Sequence, residues 1–279
     1  MTITKLASRD LVPDTESYQT LFTQPNLAKE HDFILSDTQP RLHYALEQVL
    51  SPWTTSPFML LKAPEEAEYL ALIADAAREL RPEESTVYGG QYRIAGRDVT
   101  FEPATHAEDN FAATGEVITA EWAEAEQLFG CLRHFNGELS LQPGLVHKAN
   151  GGVLIISLRT LMAQPLLWMR LKTIVTHQRF DWLSYDESRP LPVSVPSMPV
   201  SLKVILTGDR ESLADFQEME PELAEQAVYS EFEDNIQIAD ADDMSQWGQW
   251  VMAMAERYEL PIPAEDAWPS LIREATRYT

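Results

Sequence analysis

The sequence predicts an α/β fold with a mostly parallel sheet, followed by a small helical subdomain. Residues 153–156 form a short, continuously apolar segment, as is typical of a strand buried in the middle of a parallel sheet, and residues 202–206 are interpreted as a second buried strand. Segments with helical spacing alternate with these and other short strands, an order that places helices on both faces of one sheet. The final residues, 236–279, carry only helical patterns.

The first half of the chain begins with an arm. Residues 1–36 mix polar and apolar side chains with scattered prolines, and we interpret them as an N-terminal arm. Helical spacing and short apolar runs then predict these elements: helix 39–50, strand 58–61, helix 65–80, a hairpin over 88–101 that turns near Ala95-Gly96, strand 116–118, helix 120–129 and a small β excursion over 137–144.

The second half is expected to end in helices alone. After the strand at 153–156, the pattern predicts a helix over 165–176. Residues 178–200 contain four prolines between 190 and 199, which favour an extended edge or loop. Beyond the strand at 202–206, helices are predicted over 211–218, 221–227, 243–258 and 264–278. These patterns predict an arm at 1–36, an α/β domain at 37–235 and a helical subdomain at 236–279.

Composition restricts the classes of partner. The chain has 279 residues, with 44 Asp and Glu against 21 Lys and Arg, so its formal net charge is −23. Binding to nucleic acid or to anionic membranes relies on an excess of Lys and Arg, so neither partner is expected. Cys131 is the one cysteine, which excludes an intrachain disulfide and a cysteine-based zinc site. The first residues lack the apolar core of a signal peptide, and a reducing cytoplasm is the expected compartment.

The connection after the strand at 58–61 stands where a phosphate-binding loop belongs, between an apolar strand and an amphipathic helix. Such a loop needs glycines, so that backbone N–H groups can close on phosphate oxygens, and a lysine that reaches the β- and γ-phosphates. Residues 62–69 contain no glycine, and no Gly-Lys pair occurs in the chain. Three carboxylates, Glu65, Glu66 and Glu68, lie where an anion would sit.

A second apolar strand lacks the acids that usually follow it in a nucleotide hydrolase. Gly151 and Gly152 lead into the strand at 153–156, and we interpret this glycine pair as a structural turn. In P-loop proteins an aspartate at the end of the corresponding strand holds Mg²⁺. Here the strand is followed by Ser157 and Leu158.

Several stretches resemble the LonB-type Lon protease homologues. The resemblance is carried by residues 119–130 and 142–154, by Gln164-Pro165, Trp168 and Leu171-Lys172, and most specifically by the turn 149–152. It implies an AAA+-like three-layer domain with a helical lid, ATP with Mg²⁺ as the family's cofactor, and a Ser–Lys peptidase domain beyond the lid. Residues 203–209 resemble the sensor-1 strand of that family, and residues 271–278 resemble its sensor-2 helix.

The departures from the family pattern concern its nucleotide chemistry. Side chains other than glycine or lysine occupy the Walker A positions, which are Ala63, Glu66, Glu68 and Tyr69. The Walker B acids are replaced by Ser157 and Leu158, and Asp209 stands where sensor 1 has Asn. Residues 224–227 contain no arginine finger. The sensor positions retain polar groups, with Asp209 at sensor 1 and Arg273 or Arg277 at sensor 2.

Other candidate sites have ordinary interpretations. Asp186-Glu187 follows a segment that is not a clean aliphatic strand and is interpreted as a solvated turn. The six histidines have no metal-ligand spacing, and no metal site is predicted. Glu65, Glu66 and Glu68 could bind a cation, but carboxylates at the start of a helix commonly complement its dipole. Arg273 and Arg277, four residues apart, are interpreted as an exposed helix face.

Three functions follow from these observations. The leading hypothesis is a degenerate AAA+-like module, without a cofactor, that acts as a scaffold or substrate-handling region for a peptidase domain outside this chain. The alternatives are an atypical but active ATPase that drives protein unfolding and a non-enzymatic interaction module. Because residues 271–278 read as a helix with no stop signal, the chain is expected to be a truncated part of a longer protein. By itself it is expected to be a monomer or weak dimer.

Overall fold

The computed structural model describes most of the chain after residue 34, in these ranges: 35–54, 56–81, 89–104, 111–112, 115–185, 188, 190–236 and 238–276. The chain divides into two compact units. The described residues from 41 to 232 form the larger unit, and residues 35–40 group with 233–236 and 238–276 in the smaller one. The interpretation of residues 1–36 as an arm falls almost entirely outside the described residues, as do Asp186, Glu187 and Arg277.

The larger unit contains both strands and helices, in mixed order along the chain. Its elements are α2 (Pro40–Leu50), β1 (Phe58–Lys62), α3 (Ala67–Glu79), β2 (Gly90–Ala95), β3 (Asp98–Pro103), β4 (Val117–Ala120), α4 (Ala125–Phe129), β5 (Cys131–Phe135), β6 (Glu138–Gln142), α5 (Leu145–Lys148), β7 (Val153–Ser157), α6 (Leu158–Ala163), α7 (Pro165–His177), β8 (Arg179–Phe180), β9 (Met198–Pro199), β10 (Lys203–Gly208), α8 (Arg210–Met219), α9 (Pro221–Gln226) and β11 (Val228–Glu231).

A five-stranded parallel sheet forms the centre of this unit, in the order β11-β1-β10-β7-β4. The register pairs Phe58 with Val204 and Val204 with Leu154. Successive side chains of a strand point to opposite faces of the sheet. Because all five residues of β7 are buried, both faces of the sheet are covered and the architecture has three layers. The predicted α/β fold with a mostly parallel sheet is confirmed.

The edge strand β11 corrects the prediction that only helices follow residue 206. Residues Val228–Glu231 pair in parallel with β1, in a register that joins Met59 to Val228 and Lys62 to Glu231. The four-residue segment Val-Tyr-Ser-Glu is too short to show the alternating pattern of a strand. Its strand conformation comes from backbone hydrogen bonds with β1. The strand therefore depends on tertiary pairing.

The segment at 120–129 is also different from the prediction of one helix. Ala120 still belongs to β4, where it pairs with Ile156 of β7. The helix α4 begins only at Ala125, where the side-chain oxygen of Gln127 accepts the Glu124 N–H at 3.2 Å. The β excursion expected at 137–144 is the second half of a hairpin that begins earlier, with Cys131 opposite Gln142.

The smaller unit has three described helices: α1 (Leu35–Thr38), α10 (Ala241–Arg257) and α11 (Trp268–Ala275). Its small core consists of Met244, Trp268 and Ile272, and the Trp247 ring meets the Trp268 ring edge-on at 6.0 Å. The Gln39 amide donates to the Glu233 carbonyl at 2.9 Å and accepts the Glu233 N–H at 2.7 Å. Residues 264–267 precede α11 instead of forming its first turn, because Pro269 favours a helix start beside it.

None of the helices in the described ranges has the length and hydropathy needed to cross a membrane.

Candidate functional site

The parallel sheet brings the sequence-predicted Walker A, Walker B and sensor-1 positions to one edge. The register places Lys62 beside Gly208 and Thr207 beside Ser157, so β1, β10 and β7 end at the same level. The loop after β1, the start of α6 and Asp209 therefore lie at the carboxyl ends of the central strands. In open α/β sheets this edge is where ligands bind.

The loop between β1 and α3 has an ordinary backbone. Among the described residues, none from 63 to 69 has a positive φ. The Ala63 N–H donates to the Gly208 carbonyl at 3.1 Å, and Glu66, the residue before α3, has φ −70° and ψ 149°. A phosphate cradle uses glycines because its backbone must turn tightly around the oxygens. This loop takes an extended path that any residue can adopt.

Tyr69, at the position of the phosphate-binding lysine, is engaged in aromatic packing. Its ring meets the Phe232 ring edge-on, with the centroids 5.4 Å apart. Phe232 is itself held beside β1, since its N–H donates to the Lys62 carbonyl at 2.7 Å. The Lys62 ammonium lies 3.4 Å from the Glu231 carboxylate, at the same end of the sheet. The side chain at position 69 thus lies against the residue that follows β11.

Glu65 makes the contact that the sequence did not reveal. Its carboxylate accepts hydrogen bonds from the Ser157 hydroxyl and from the Arg159 N–H, the latter at 3.1 Å. The interpretation of Glu65 as a residue that complements its own helix is wrong in geometry, because α3 begins at Ala67 and the carboxylate reaches the start of α6 instead. Glu66 and Glu68 are exposed to solvent.

Ser157 and Leu158, at the Walker B positions, are both fully buried. Ser157 is the last residue of β7 and donates its hydroxyl to Glu65. Leu158 belongs to the hydrophobic core, and its Cδ1 lies 3.0 Å from the point where a Cβ on Gly208 would stand. The position that would activate a water molecule in a hydrolase is therefore filled by an aliphatic side chain packed against β10.

Asp209, at the sensor-1 position, begins helix α8. Its carboxylate accepts the Ser212 N–H at 2.7 Å, which is the hydrogen bond of a helix N-cap. That hydrogen bond lowers the pKa of Asp209 below its ordinary value. Arg273, the described sensor-2 candidate, is exposed on α11 of the smaller unit, whereas Arg277 lies outside the described residues.

The turn before β7 depends on its glycines. Gly151 has a φ of 82°, a conformation that residues with a side chain rarely adopt. A Cβ on Gly152 would stand 2.2 Å from the Glu116 carbonyl oxygen. Asn150, fully buried, accepts the Ser201 N–H on its side-chain oxygen at 2.8 Å, and the Gly151 N–H donates to the Ser201 carbonyl. The turn therefore fixes the start of β7 against the segment that enters β10.

His147, just before this turn, is a buried residue that spacing rules could not single out. Its Nδ1 accepts the Gly144 N–H at 3.0 Å, and its ring stacks on Trp182 with the centroids 5.2 Å apart. Burial, with a smaller contribution from the nearby Arg170 charge, lowers the pKa of His147 to about 3. The histidine is therefore neutral at neutral pH and serves as an acceptor inside an aromatic cluster.

The residues at the carboxyl ends of β1, β7 and β10 do not fit ATP with Mg²⁺, the cofactor of the family that the sequence resembles. Such a site supplies backbone donors and a lysine to the phosphates and an acid to the metal. Here the loop carries carboxylates, Tyr69 packs on Phe232 and the acid positions hold Ser157 and Leu158. Within the ranges that the structure describes, no group of three His, Cys, Asp or Glu residues could hold a metal ion.

Comparisons with known proteins agree with the resemblance seen in the sequence. A family model described as "LonB-like, AAA domain" matches residues 114–232. A Lon protease homologue of Escherichia coli (strain K12) is 65% identical over 279 residues, which are 100% of this chain and 48% of that protein. A Lon protease homologue of Haemophilus influenzae (strain ATCC 51907 / DSM 11121 / KW20 / Rd) is 37% identical over 216 residues, 75% of this chain and 36% of that protein.

Among solved structures, a chain from the complex between subunits BchI and BchD of magnesium chelatase aligns with 88% of this chain and 75% of its own length, at a TM-score of 0.48 and 15% identity. The chain spans about half the length of the first curated relative, 48%. The match over residues 114–232 includes Ser157, Leu158 and Asp209 of the candidate site, whereas the segment at 63–69 lies outside it. Over its whole length the chain is thus similar to a Lon protease homologue, and its residues 114–232 match the LonB-like AAA domain.

Proposed function

We propose that this chain is an AAA+-like module that has the fold of an ATPase without its nucleotide chemistry. Its role is that of a scaffold or substrate-handling region for a Lon-type peptidase domain in the longer protein. The observation that carries the proposal is the packing of the half-buried Tyr69 on Phe232, with the ring centroids 5.4 Å apart, because it commits the side chain at the lysine position to a contact within the protein. The burial of Leu158 supports the same conclusion at the Walker B position.

A titration with ATP and Mg²⁺ tests the proposal. Each missing phosphate contact is a charge-assisted hydrogen bond, worth about 1.5–3 kcal/mol, and the carboxylates of the loop repel the phosphates. We expect no heat of binding and no change in melting temperature at millimolar nucleotide. Ligand at 100 times its Kd stabilises a folded protein by about 2.7 kcal/mol, so a shift of several degrees would instead favour the active ATPase.

A peptidase partner is proposed from the relatives, which are Lon protease homologues of greater length. We expect the longer protein to hydrolyse an unfolded protein substrate at a rate that ATP does not increase. We expect no hydrolysis by this chain alone. The measurement is release of labelled peptides from the longer protein with and without ATP–Mg²⁺. Stimulation by ATP would contradict a scaffold role and favour energy-driven unfolding.

The isolated chain is proposed to be a monomer or weak dimer in a reducing cytoplasm, without nucleic acid or membrane partners. A net charge of −23 makes like subunits repel each other, most strongly at low salt. The free, buried thiol of Cys131 suits a reducing compartment. Light scattering at about 0.15 M salt, where the Debye length is about 8 Å, measures the mass. A stable hexamer would overturn this expectation.

A further inference from the structure

We propose that the Glu65 carboxylate is a built-in tie that closes the loop after β1 onto the junction of β7 and α6, where a nucleotide with its metal would otherwise join the two. The inference rests on the proposed function and concerns the same site. In P-loop proteins, the loop after the first strand holds the phosphates and the end of the Walker B strand holds Mg²⁺, so the ligand bridges these two segments. Here a side chain of the protein makes that connection.

The geometry supports a tie across the sheet. In the sheet order, β10 lies between β1 and β7, so the two segments are not neighbours in the ladder. One carboxylate oxygen of Glu65 accepts both the Ser157 hydroxyl and the Arg159 N–H. The other end of the loop is fixed where the Ala63 N–H donates to the Gly208 carbonyl. The loop is therefore attached to β10 at Ala63 and to β7 and α6 at Glu65.

The two donors are of the type that a carboxylate needs. The N–H groups in the first turn of a helix have no partner inside the helix, and Arg159 is the second residue of α6. The Ser157 hydroxyl is fully buried, and its hydrogen bond to an ionised acceptor is stronger than one between neutral groups. The Arg159 contribution comes from its backbone, since its guanidinium lies at 3.3 Å from Glu121 on the surface.

The tie also accounts for the hydroxyl at the Walker B position. An aspartate at position 157 would place a second carboxylate beside Glu65, and two adjacent carboxylates cannot both ionise without cost. A serine can donate, so it converts the contact into an attraction. Glu65 and an acid at position 157 are therefore mutually exclusive, and each makes the other unfavourable.

Hydrogen exchange and a double-mutant cycle test the tie on the whole chain. In Glu65→Ala, we expect the Arg159 amide to exchange roughly tenfold faster than in the unmodified chain, equivalent to about 1.4 kcal/mol of lost protection. The matched control is Glu68→Gln, an exposed carboxylate three residues further along, which should leave that amide unchanged. In urea unfolding, Glu65→Ala and Ser157→Ala should be less than additive, because each removes the same contact.

Charge rescue supplies a readout that depends on the charge of Glu65, and simple packing of its side chain would not produce it. Ser157→Asp should lower the melting temperature or the soluble yield, and adding Glu65→Gln should recover most of that loss. Additive effects in the cycle, or no rescue, would overturn the tie and leave the proposed function untouched. Binding of ATP by the unmodified chain would overturn the proposed function. The double-mutant cycle would still show whether Glu65 and Ser157 interact.

Discussion

Two connections of the larger unit both touch the central strands, but only one of them needs glycine. The turn at 149–152 brings its backbone so close to Glu116 that a Cβ on Gly152 would meet the carbonyl oxygen at 2.2 Å. The segment at 63–69, which is the loop after β1 and the first turn of α3, has no positive φ and carries Glu65, Glu66 and Glu68. The first connection is constrained by the protein's own packing, whereas the second is not.

The contrast separates two reasons for a glycine in this architecture. In the turn, Gly152 makes room for the backbone of Glu116 and Gly151 takes a positive φ, so the fold requires both whether or not a ligand binds. In a phosphate-binding loop, glycines make room for the ligand, and the requirement disappears when nothing binds there. Glu65 and Tyr69 then stabilise the loop by contacts to Ser157 and Phe232 that a cradle would not make.

The largest effect should come from the turn. We expect Gly152→Ala to destabilise the chain by about 3 kcal/mol, because the new Cβ meets backbone atoms that cannot move aside. The control is Gly137→Ala, at a hairpin tip with φ 84° and no atom within 4 Å, where only the backbone conformation costs about 1 kcal/mol. Urea unfolding measures both, and equal costs would show that the turn is less crowded than described.

The buried histidine beside the turn should make stability depend on pH. The pKa of His147 is about 3 in the folded chain against an ordinary 6.5, so the unfolded chain takes up the proton first as the pH falls. Stability should therefore decline below pH 6.5, by up to about 1.4 kcal/mol per pH unit, and the decline continues toward pH 3. His147→Phe should flatten the curve between pH 6.5 and 5, whereas exposed His134→Asn should not. Parallel curves for His147→Phe and the unmodified chain would contradict this.

On the side of the loop, Tyr69→Lys restores the residue type of a phosphate-binding loop but should not restore binding. We expect it to destabilise the chain by about 1–2 kcal/mol through loss of the ring contact with Phe232. Tyr69→Phe keeps the ring and should stay close to the unmodified chain. Melting temperatures with and without ATP–Mg²⁺ measure both the loss of stability and any nucleotide binding. Stabilisation of Tyr69→Lys by ATP would mean that the other residues of the site are sufficient for binding once a lysine is present.

Asp209 should show the smallest effect, that of a helix cap. Asp209→Ala removes the acceptor of the Ser212 N–H and should cost about 1 kcal/mol, whereas Asp209→Asn keeps a good N-cap and should cost little. The pKa of Asp209 is lowered, so the cap's contribution is present above the ordinary carboxyl pKa and is lost as the pH falls through the lowered value. A loss in Asp209→Asn equal to that in Asp209→Ala would argue against a simple cap.

The central strands were predictable because their signal is local. Residues 153–156 and 202–206 are short, mainly apolar runs, and the structure has strands at Val153–Ser157 and Lys203–Gly208, close to the predicted bounds. The strand at 228–231 was missed because its four residues show no strand pattern of their own and depend on pairing with β1. The helix at 120–129 was predicted too long because Ala120 pairs with Ile156, a partner distant in sequence.

For the candidate site as well, some features could be predicted from the sequence and others depended on the tertiary structure. From the sequence alone, the residue types at positions 63, 66, 68, 69, 157 and 158 are already inconsistent with a phosphate cradle and a metal-holding acid, because that chemistry depends on residue identity. The destination of each side chain was decided by the tertiary structure: Glu65 bonds to Ser157 and Arg159, and Tyr69 packs on Phe232. These partners lie more than 90 residues away along the chain, and only the order and register of the parallel sheet bring them within reach.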